Sequence, residues 1–212
     1  MNSSTAARGR FIVFEGIDGS GKSTQISLLE QGLRAQGRRV YRTAEPTETS
    51  LGGLIRDALA GATPRSTAEL AALFLADRIH HNSNAINGIM KQLKNGVDVI
   101  CDRYYYSSFA YQGVGTDLNW VMDANLNCPE ILRPDLCLFL DLDAQKSKER
   151  VDASRFYLEI YEQSGEQLAE IRGKFFEVFE RLKGRENIVV VDALRSVDEI
   201  AADILQLVQK LF

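Results

Sequence analysis

The stretch that decides this fold is Gly16-Ile17-Asp18-Gly19-Ser20-Gly21-Lys22-Ser23-Thr24, which lies between the apolar run 11–14 and a helical pattern over 24–29. Its glycines let the backbone curl so that successive N–H groups point at phosphate oxygens, and the following helix adds its positive end. Lys22 can then reach the β- and γ-phosphates of a nucleotide, and the Ser23 hydroxyl can ligate Mg²⁺. Such a stretch can also be only a turn, but the complete spacing between strand and helix predicts a nucleoside triphosphate site over residues 16–24.

The composition limits the class of protein to which the chain can belong. With 212 residues, of which 45% are hydrophobic, the chain can bury one sizeable core, so we expect a single domain over 1–212. A net charge of −4 and a pI near 5.3 argue against a broad nucleic-acid-binding face, which needs clustered Lys and Arg. The polar segment 1–10 predicts neither a signal peptide nor a membrane anchor. Three scattered cysteines fit no disulfide framework, which favours a reducing, cytoplasmic location.

Short apolar, β-branched runs alternate along the chain with longer helical patterns. The predicted strands are 11–14, 39–43, 98–101, 136–140 and 187–191. The predicted helices are 22–36, 51–60, 67–95, 118–128, 145–152, 165–183 and 197–211. Strands separated by helices imply a parallel sheet with right-handed crossovers, and nearly all-apolar strands imply helices on both faces. We therefore predict a three-layer α/β/α P-loop NTPase fold with a five-stranded parallel sheet in the order 2-3-1-4-5 and a small lid over 146–164.

Polar residues follow two of the predicted strands. Glu45-Pro46-Thr47 follows the second strand, and Asp102-Arg103-Tyr104 follows the third. Because ligands gather at the carboxyl ends of strands in such sheets, Asp102 can orient Mg²⁺ directly or through water, and Arg103 can hold a phosphate in a fork. The alternative is that this pair caps and neutralises the next helix start, but its place in a chain with a phosphate loop favours the functional interpretation.

Residues on two predicted helices stay open to alternatives on spacing alone. Arg56 could be a second phosphate contact or a solvated surface residue. Phe74 and Arg78, one turn apart, could stack on a base and bond its exocyclic oxygen, or could be a core Phe and a surface Arg. His80-His81 has no third ligand beside it and is interpreted as a solvated or helix-packing pair.

Several motifs in the first two thirds of the chain, taken together, resemble those of one family. They are residues 14–25, Glu45-Pro46, residues 73–78, Asp102-Arg103-Tyr104, residues 107–113 and Arg133-Pro134-Asp135. In order and content they resemble thymidylate kinases of the archaeal and bacterial kind. The phosphate loop alone would identify only a superfamily, but the combination is specific.

The resemblance implies roles in binding the acceptor nucleotide. Phe74 would stack on thymine, Arg78 would bond its O4, and Ser108 and Gln112 would lie near the base edge. Tyr111 would sit under the sugar, where a 2′-hydroxyl would clash. The full set implied for dTMP is Asp18, Glu45, Pro46, Arg56, Phe74, Arg78, Arg103, Ser107, Ser108, Tyr111 and Gln112, with Arg56 and Arg103 on the monophosphate.

The resemblance also implies the reaction, which transfers the γ-phosphoryl group of ATP to dTMP to give dTDP and ADP for dTTP synthesis, with Mg²⁺ as cofactor. Because the second pKa of a phosphate monoester is about 6, no general base is required. Catalysis is then positioning and charge stabilisation. The residues implied are Lys22, Arg103, Asp18 (near the 3′-hydroxyl or the metal shell), Arg150 and Arg155 in catalysis, and Ser23 and Asp102 at the metal.

The chain departs from the family pattern at the transition-state arginine. Family members supply it either from the phosphate loop, at the position of Gly19 here, or from the lid, and Gly19 excludes the first source. Arg150 and Arg155 of the lid are the candidates, although the lid also carries two glutamates and Arg150 could equally be a surface residue. The resemblance further implies an adenine site between the start of the lid and residues 192–195, and a homodimer formed through helices that include 67–95.

Two other functions are weighed beside this one. The first is a kinase for another deoxynucleotide or for a deoxynucleoside. The second is a nucleotide-dependent switch or binding protein, which would be expected to carry a guanine-selective Asn-Lys-x-Asp motif that this sequence lacks. We expect ATP and dTMP as small-molecule partners, and neither nucleic acid nor membrane.

Overall fold

The computed structural model describes residues 7–153 and 164–212. In chain order the elements are β1 (Phe11–Glu15), α1 (Lys22–Ala35), β2 (Val40–Ala44), α2 (Ser50–Leu59), α3 (Thr67–Ser83), α4 (Ile89–Lys94), β3 (Asp98–Asp102), α5 (Tyr105–Gly115), α6 (Leu118–Leu126), β4 (Leu136–Asp141), α7 (Ala144–Ala153), α8 (Gly165–Leu182), β5 (Ile188–Asp192) and α9 (Val197–Gln209). Every predicted strand is present, with its ends within one residue of the prediction.

The strands form one parallel sheet in the order β2-β3-β1-β4-β5, which confirms the predicted topology. β1 lies at the centre, where Val13 pairs with Cys101 of β3 on one side and with Cys137 of β4 on the other. Since the strands are parallel, the segments that follow β1, β2 and β3 all leave the sheet at the same edge.

Helices cover both faces of the sheet and give three layers. Phe11 and Val13 belong to a buried cluster shared with α3, α4, α5, α6 and α8. Ile12 and Phe14 point the other way, into a second cluster shared with α1 and α9. This alternation places two cores on the two sides of one buried strand, as expected for an α/β/α fold.

The predicted helix 67–95 is wrong as a single element, because the structure breaks it after Ser83. Asn84 adopts an extended conformation with ψ 125°. Its side-chain Oδ1 accepts hydrogen bonds from the backbone N–H groups of Ile86 at 2.8 Å and Asn87 at 3.2 Å. A short polar side chain of this kind competes with the helix for backbone donors, so α3 ends here and α4 begins after Gly88.

Helix α5 is missing from the predicted helices, and its local signals are weak. Tyr104 at the N-cap position makes no side-chain capping bond, and the helix contains two glycines. Packing compensates, because Tyr105, Tyr106 and Phe109 are fully buried, and the rings of Tyr105 and Phe109 stack with centroids 5.2 Å apart. The helix is therefore stabilised by burial of its aromatic face rather than by its own propensity.

Among the described helices, none combines the length and apolarity that crossing a membrane requires. The single sheet is built from strands between residues 11 and 192. A single domain over 1–212 stays a prediction.

Candidate active site

A cleft of about 760 Å³ lies at the edge of the sheet where β1, β2 and β3 end. Predicted site residues that line it are Asp18, Gly19, Gly21, Lys22, Ser23, Thr24, Glu45, Pro46, Arg56, Phe74, Arg78, Asp102, Arg103, Ser107, Ser108, Tyr111, Gln112 and Arg150. The fold thus brings together the phosphate loop and the residues implied for the acceptor nucleotide, although these are far apart in sequence.

The phosphate loop joins β1 to α1 and has glycines at the positions whose φ angles are positive. Gly16 has φ 144°, and a Cβ there would lie 2.8 Å from the carbonyl oxygen of Leu140. Gly21, with φ 96°, is the N-cap residue of α1. The loop therefore presents the N-terminus of α1 to the cleft, which is the arrangement that binds phosphate.

Lys22 is buried and lies across the inside of the loop. Its Nζ donates to the carbonyl oxygens of Gly16 at 2.9 Å and Ile17 at 3.3 Å. Burial lowers the pKa of Lys22 to about 8, and Arg103 adds to this lowering while Asp18 opposes it. A negatively charged phosphate group beside Lys22 would raise its pKa, as Asp18 does, and would favour the charged form.

Arg103 and Asp18 form an ion pair at the mouth of the cleft. Arg103 holds the pKa of the Asp18 carboxyl below its usual range. Nη1 of Arg103 also donates to Oγ of Ser107 at 3.0 Å, and the guanidinium lies 5.2 Å from the Tyr111 ring centroid. These contacts place the arginine between the phosphate loop and α5. Because Arg103 only donates and Oδ1 of Asp102 has no partner among the described residues, the alternative that this pair caps the helix start is not supported.

Arg78 is the centre of a buried polar network, and both it and Glu45 have side chains that are 1% exposed. Nε of Arg78 donates to Oε2 of Glu45 at 2.8 Å, Nη1 to Oδ1 of Asn125 at 2.6 Å, and Nη2 to Oγ of Ser108 at 3.1 Å. The alternative of a core Phe74 with a surface Arg78 is therefore wrong, because Phe74 is only half-buried and both line the cleft.

His81 lies on the far side of Glu45. Its Nδ1 is 3.0 Å from Oε1 of Glu45, and its Nε2 is 2.7 Å from Oγ1 of Thr43. Both ring nitrogens of His81 are therefore within hydrogen-bond distance of an oxygen atom. The sequence interpretation of His80-His81 as a solvated or helix-packing pair did not include the contact of His81 with Glu45, and the contact of Asn125 with Arg78 was not predicted either.

Two side-chain atoms on α5 stand out at the cleft. The hydroxyl of Tyr111 and Oε1 of Gln112 are buried, and neither has a hydrogen-bond partner in the described part of the chain. Buried polar atoms are normally paired, so these two are suited to a ligand. Phe74 adds an aromatic face to the same cleft.

Arg56 extends from α2 to the segment that follows β2. Nη1 donates to the carbonyl oxygens of Thr47 at 2.7 Å and Pro46 at 3.3 Å, and Nη2 lies 3.5 Å from Oε2 of the exposed Glu48. Arg56 lines the cleft, but its side chain is 41% exposed, so both alternatives, a phosphate contact and a solvated surface residue, stay open. Asp77 holds the same segment through its bond to Thr47 N at 2.8 Å.

The residues implied for a metal fit Mg²⁺. Oδ1 of Asp102 is buried without a hydrogen-bond partner among the described residues, and the hydroxyl-bearing Ser23 is exposed on the same cleft. Within residues 7–153 and 164–212 there is no cluster of three or more His, Cys, Asp or Glu that could hold a metal. Mg²⁺ suits such a sparse set of hard oxygen ligands, because it keeps several waters and binds substrate phosphates.

Of the two candidates for the transition-state arginine, the structure describes Arg150 and not Arg155. Arg150, on α7, lines the cleft, and its Nη2 donates to the carbonyl oxygen of Ala193 at 3.3 Å, in the segment that follows β5. Arg155 lies outside the described residues, as does most of the predicted lid. The structure therefore places only the first candidate near the phosphate loop.

Three predicted phosphate-loop residues do not line the cleft in the described part of the chain. Gly16, Ile17 and Ser20 are buried within the loop, and Ile17 belongs to the hydrophobic core. Their part in phosphate binding stays a prediction. Ala44, Glu48, Leu59 and Tyr104 line the cleft without having been predicted, and for Ala44 and Tyr104 their places at strand ends were the available signal.

The sheet order, the phosphate loop after the central strand and the cleft beside it define a P-loop nucleotide-binding protein. The family model described as thymidylate kinase matches residues 14–204. The chain is 39% identical over 208 residues to a probable thymidylate kinase of Pyrococcus horikoshii, covering 95% of this chain and 97% of the relative. It is 38% identical over 211 residues to a thymidylate kinase of Leifsonia xyli subsp. xyli, covering 96% of each chain. The chain belongs to the thymidylate kinase family.

Proposed function

We propose that the protein is an ATP-dependent thymidylate kinase, which transfers the γ-phosphoryl group of ATP to dTMP and yields dTDP and ADP. The observation that carries this proposal is that one cleft holds the phosphate loop together with Phe74, Arg78 and Arg103. Family membership supports the same acceptor.

The acceptor nucleotide is proposed to extend from Arg78 to Arg103. Phe74 stacks on thymine, Arg78 bonds O4, and Tyr111 lies under the deoxyribose. Burial of Arg78 beside Glu45 supports this assignment, because a cation with a fixed orientation discriminates a carbonyl oxygen from an amino group. The remaining acceptor contacts are proposed as the resemblance implies them: Asp18, Glu45, Pro46, Arg56, Ser107, Ser108 and Gln112.

The transfer step needs charge stabilisation rather than proton abstraction. A phosphate oxygen of dTMP forms the new P–O bond while the bond between the γ-phosphorus of ATP and its bridging oxygen breaks, and the electron pair leaves with ADP. Arg103 and Arg56 hold the acceptor phosphate, and Lys22 neutralises charge on the donor phosphates. The second pKa of the acceptor phosphate is about 6, so it is already anionic at neutral pH.

Ser23 and Asp102 are proposed to hold Mg²⁺, directly or through water. When bound, Mg²⁺ supplies positive charge that offsets the charge of the donor phosphates. Asp18 is proposed to serve the 3′-hydroxyl or the outer metal shell. Its ion pair with Arg103, the proposed contact of the acceptor phosphate, supports this assignment.

Arg150 is proposed to reach the donor nucleotide, either as the transition-state arginine or beside the adenine. Its contact with Ala193 supports a place between the start of α7 and residues 192–195. Arg155 stays the other candidate for the transition state. A homodimer and a cytoplasmic location are proposed on the resemblance and on the three free cysteines, respectively.

The test is a coupled assay with ATP and Mg²⁺ against four acceptors: dTMP, dUMP, ribothymidine monophosphate and thymidine. We expect dTMP to be preferred, with the ribose analogue rejected because its 2′-hydroxyl meets Tyr111. If thymidine were phosphorylated faster than dTMP, the phosphate-binding roles of Arg56 and Arg103 would be wrong and a deoxynucleoside kinase would replace this proposal.

A further inference from the structure

Glu15 ends β1 and directly precedes the phosphate loop, yet it is fully buried and is not among the described residues that line the cleft. Its carboxylate extends to the start of α5. Oε1 accepts from the backbone N–H groups of Tyr104 at 2.8 Å and Ser107 at 3.1 Å, and Oε2 accepts from the Ser107 hydroxyl at 2.6 Å. A helix start leaves such donors without partners, so Glu15 caps α5 from another element.

The same carboxylate reaches Arg103 through Ser107. Oγ of Ser107 donates to Glu15 and accepts from Nη1 of Arg103 at 3.0 Å. Hydrogen bonds in such a chain polarise one another, and a charged end strengthens them. On its other side Arg103 donates to Asp18, so the guanidinium is fixed between two carboxylates.

The backbone of Arg103 is attached to the same end of β1. Its φ of 66° lies in the left-handed region, which a residue with a long side chain adopts only when its surroundings impose it. Its N–H donates to the carbonyl oxygen of Phe14, the residue before Glu15, at 2.9 Å. The backbone and the guanidinium of Arg103 therefore depend on two successive residues of β1.

A role for Glu15 as a general base does not fit this geometry. Burial raises the pKa of Glu15 to about 7, while Arg103 and the bonds from Tyr104 and Ser107 oppose this rise. A carboxyl that titrates near neutral pH could abstract a proton. The oxygens of Glu15 face three protein donors, however, and Ser107 stands between Glu15 and the cleft.

We propose that Glu15 is a positioning residue, which fixes the start of α5 and, through Ser107, orients the guanidinium of Arg103 for phosphoryl transfer. This inference rests on the proposed function, because that function gives Arg103 its role. It assigns to the residue before the loop a task separate from nucleotide binding.

The test is a double-mutant cycle between Glu15→Gln and Arg103→Ala. Glutamine keeps the shape and one acceptor but replaces the charge on Oε2 with an amide group. We expect kcat for dTDP formation to fall about 10- to 100-fold in the wild-type background and by less than about twofold when Arg103 is absent. Ser107→Ala breaks the chain at its middle and should give the same pattern. Glu30→Gln on α1, which changes a partly exposed carboxylate, is the matched control and should change neither background.

Equal losses with and without Arg103, or an unchanged kcat in Glu15→Gln, would overturn the inference. If the wild-type protein makes no dTDP from dTMP, the proposed function fails instead, and NMR of the substrate-free protein then decides the inference. We expect the guanidinium N–H signals of Arg103 to be protected from exchange in the wild type and to exchange faster in Glu15→Gln. Unchanged protection would exclude a positioning role, whatever the acceptor.

Discussion

Replacing Glu45 by glutamine removes the counter-ion of a buried arginine. Arg78 and Glu45 are each 1% exposed, and Oε2 of Glu45 lies 2.8 Å from Nε and 2.7 Å from Nη2 of Arg78. Breaking a buried pair by removing one charge costs about 3–5 kcal/mol, because the other charge stays buried. Glutamine keeps one acceptor, so we expect a loss near 3 kcal/mol, or about 6–12 °C in Tm for a chain of this size.

The measurement is urea unfolding followed by fluorescence or circular dichroism, together with calorimetric binding of dTMP. The double variant Glu45→Gln/Arg78→Met removes the stranded cation, so it should regain most of the stability lost in Glu45→Gln. It should not regain dTMP binding, because Arg78 is the proposed contact to O4. From Glu45→Gln to the double variant, stability therefore recovers and dTMP binding does not.

Glu30→Gln is the control, since Glu30 pairs with Arg34 on an open face of α1. Such exposed pairs contribute little, and we expect a change within about 0.5 kcal/mol. The reasoning is refuted if Glu45→Gln is no more destabilising than Glu30→Gln, or if the double variant is less stable than Glu45→Gln alone.

Three further outcomes are expected. Lys22→Met should lower kcat about 10²–10³-fold in the coupled assay, because the charge on the donor phosphates is no longer neutralised, whereas a loss under tenfold would contradict this role. Phe74→Ala should weaken calorimetric dTMP binding about tenfold through lost stacking and leave ATP binding unchanged, and equal losses for both nucleotides would argue against stacking. Glu15 has a folded-state pKa raised from 4.5 to about 7, so its contribution to stability is fully present below pH 4.5 and is lost as pH rises through about 7. Relative to Glu15→Gln, the wild type should therefore lose about 3 kcal/mol of unfolding free energy between these pH values in urea titrations, and parallel curves would contradict the raised pKa.

The prediction for Glu15 concerns both the stability and the activity of the protein. Glu15→Gln should be more stable than the wild type above pH 7 and yet less active, because the buried charge that destabilises the fold also orients Arg103. A functional site that costs stability is common in enzymes.

Features encoded in a contiguous run of residues were predicted correctly, whereas features that depend on side-chain contacts were not. The strands were predicted to within one residue because runs such as 136–140 are apolar throughout. The break after Ser83 was missed because Asn84 ends α3 through its own side chain, while the surrounding residues still favour a helix. The alternatives for Phe74 and Arg78 could not be separated by spacing. A separation of one helical turn shows that two residues share a face of the helix, but it does not show which element packs against that face.

By itself the sequence determined that this chain binds a nucleoside triphosphate, because the glycine spacing, Lys22 and the strand-to-helix context all lie within one short stretch. It also determined the sheet, since buried strands must be apolar. Only the tertiary structure decided how Arg78 and Arg103 are held, because their partners come from other elements: Glu45 and Asn125 for Arg78, and Asp18 with Ser107 for Arg103. Glu15 and Tyr104 are 89 residues apart in sequence, so no local sequence pattern could predict the capping bond between them. The orientation of these two guanidinium groups therefore depends on contacts between segments that are distant in sequence.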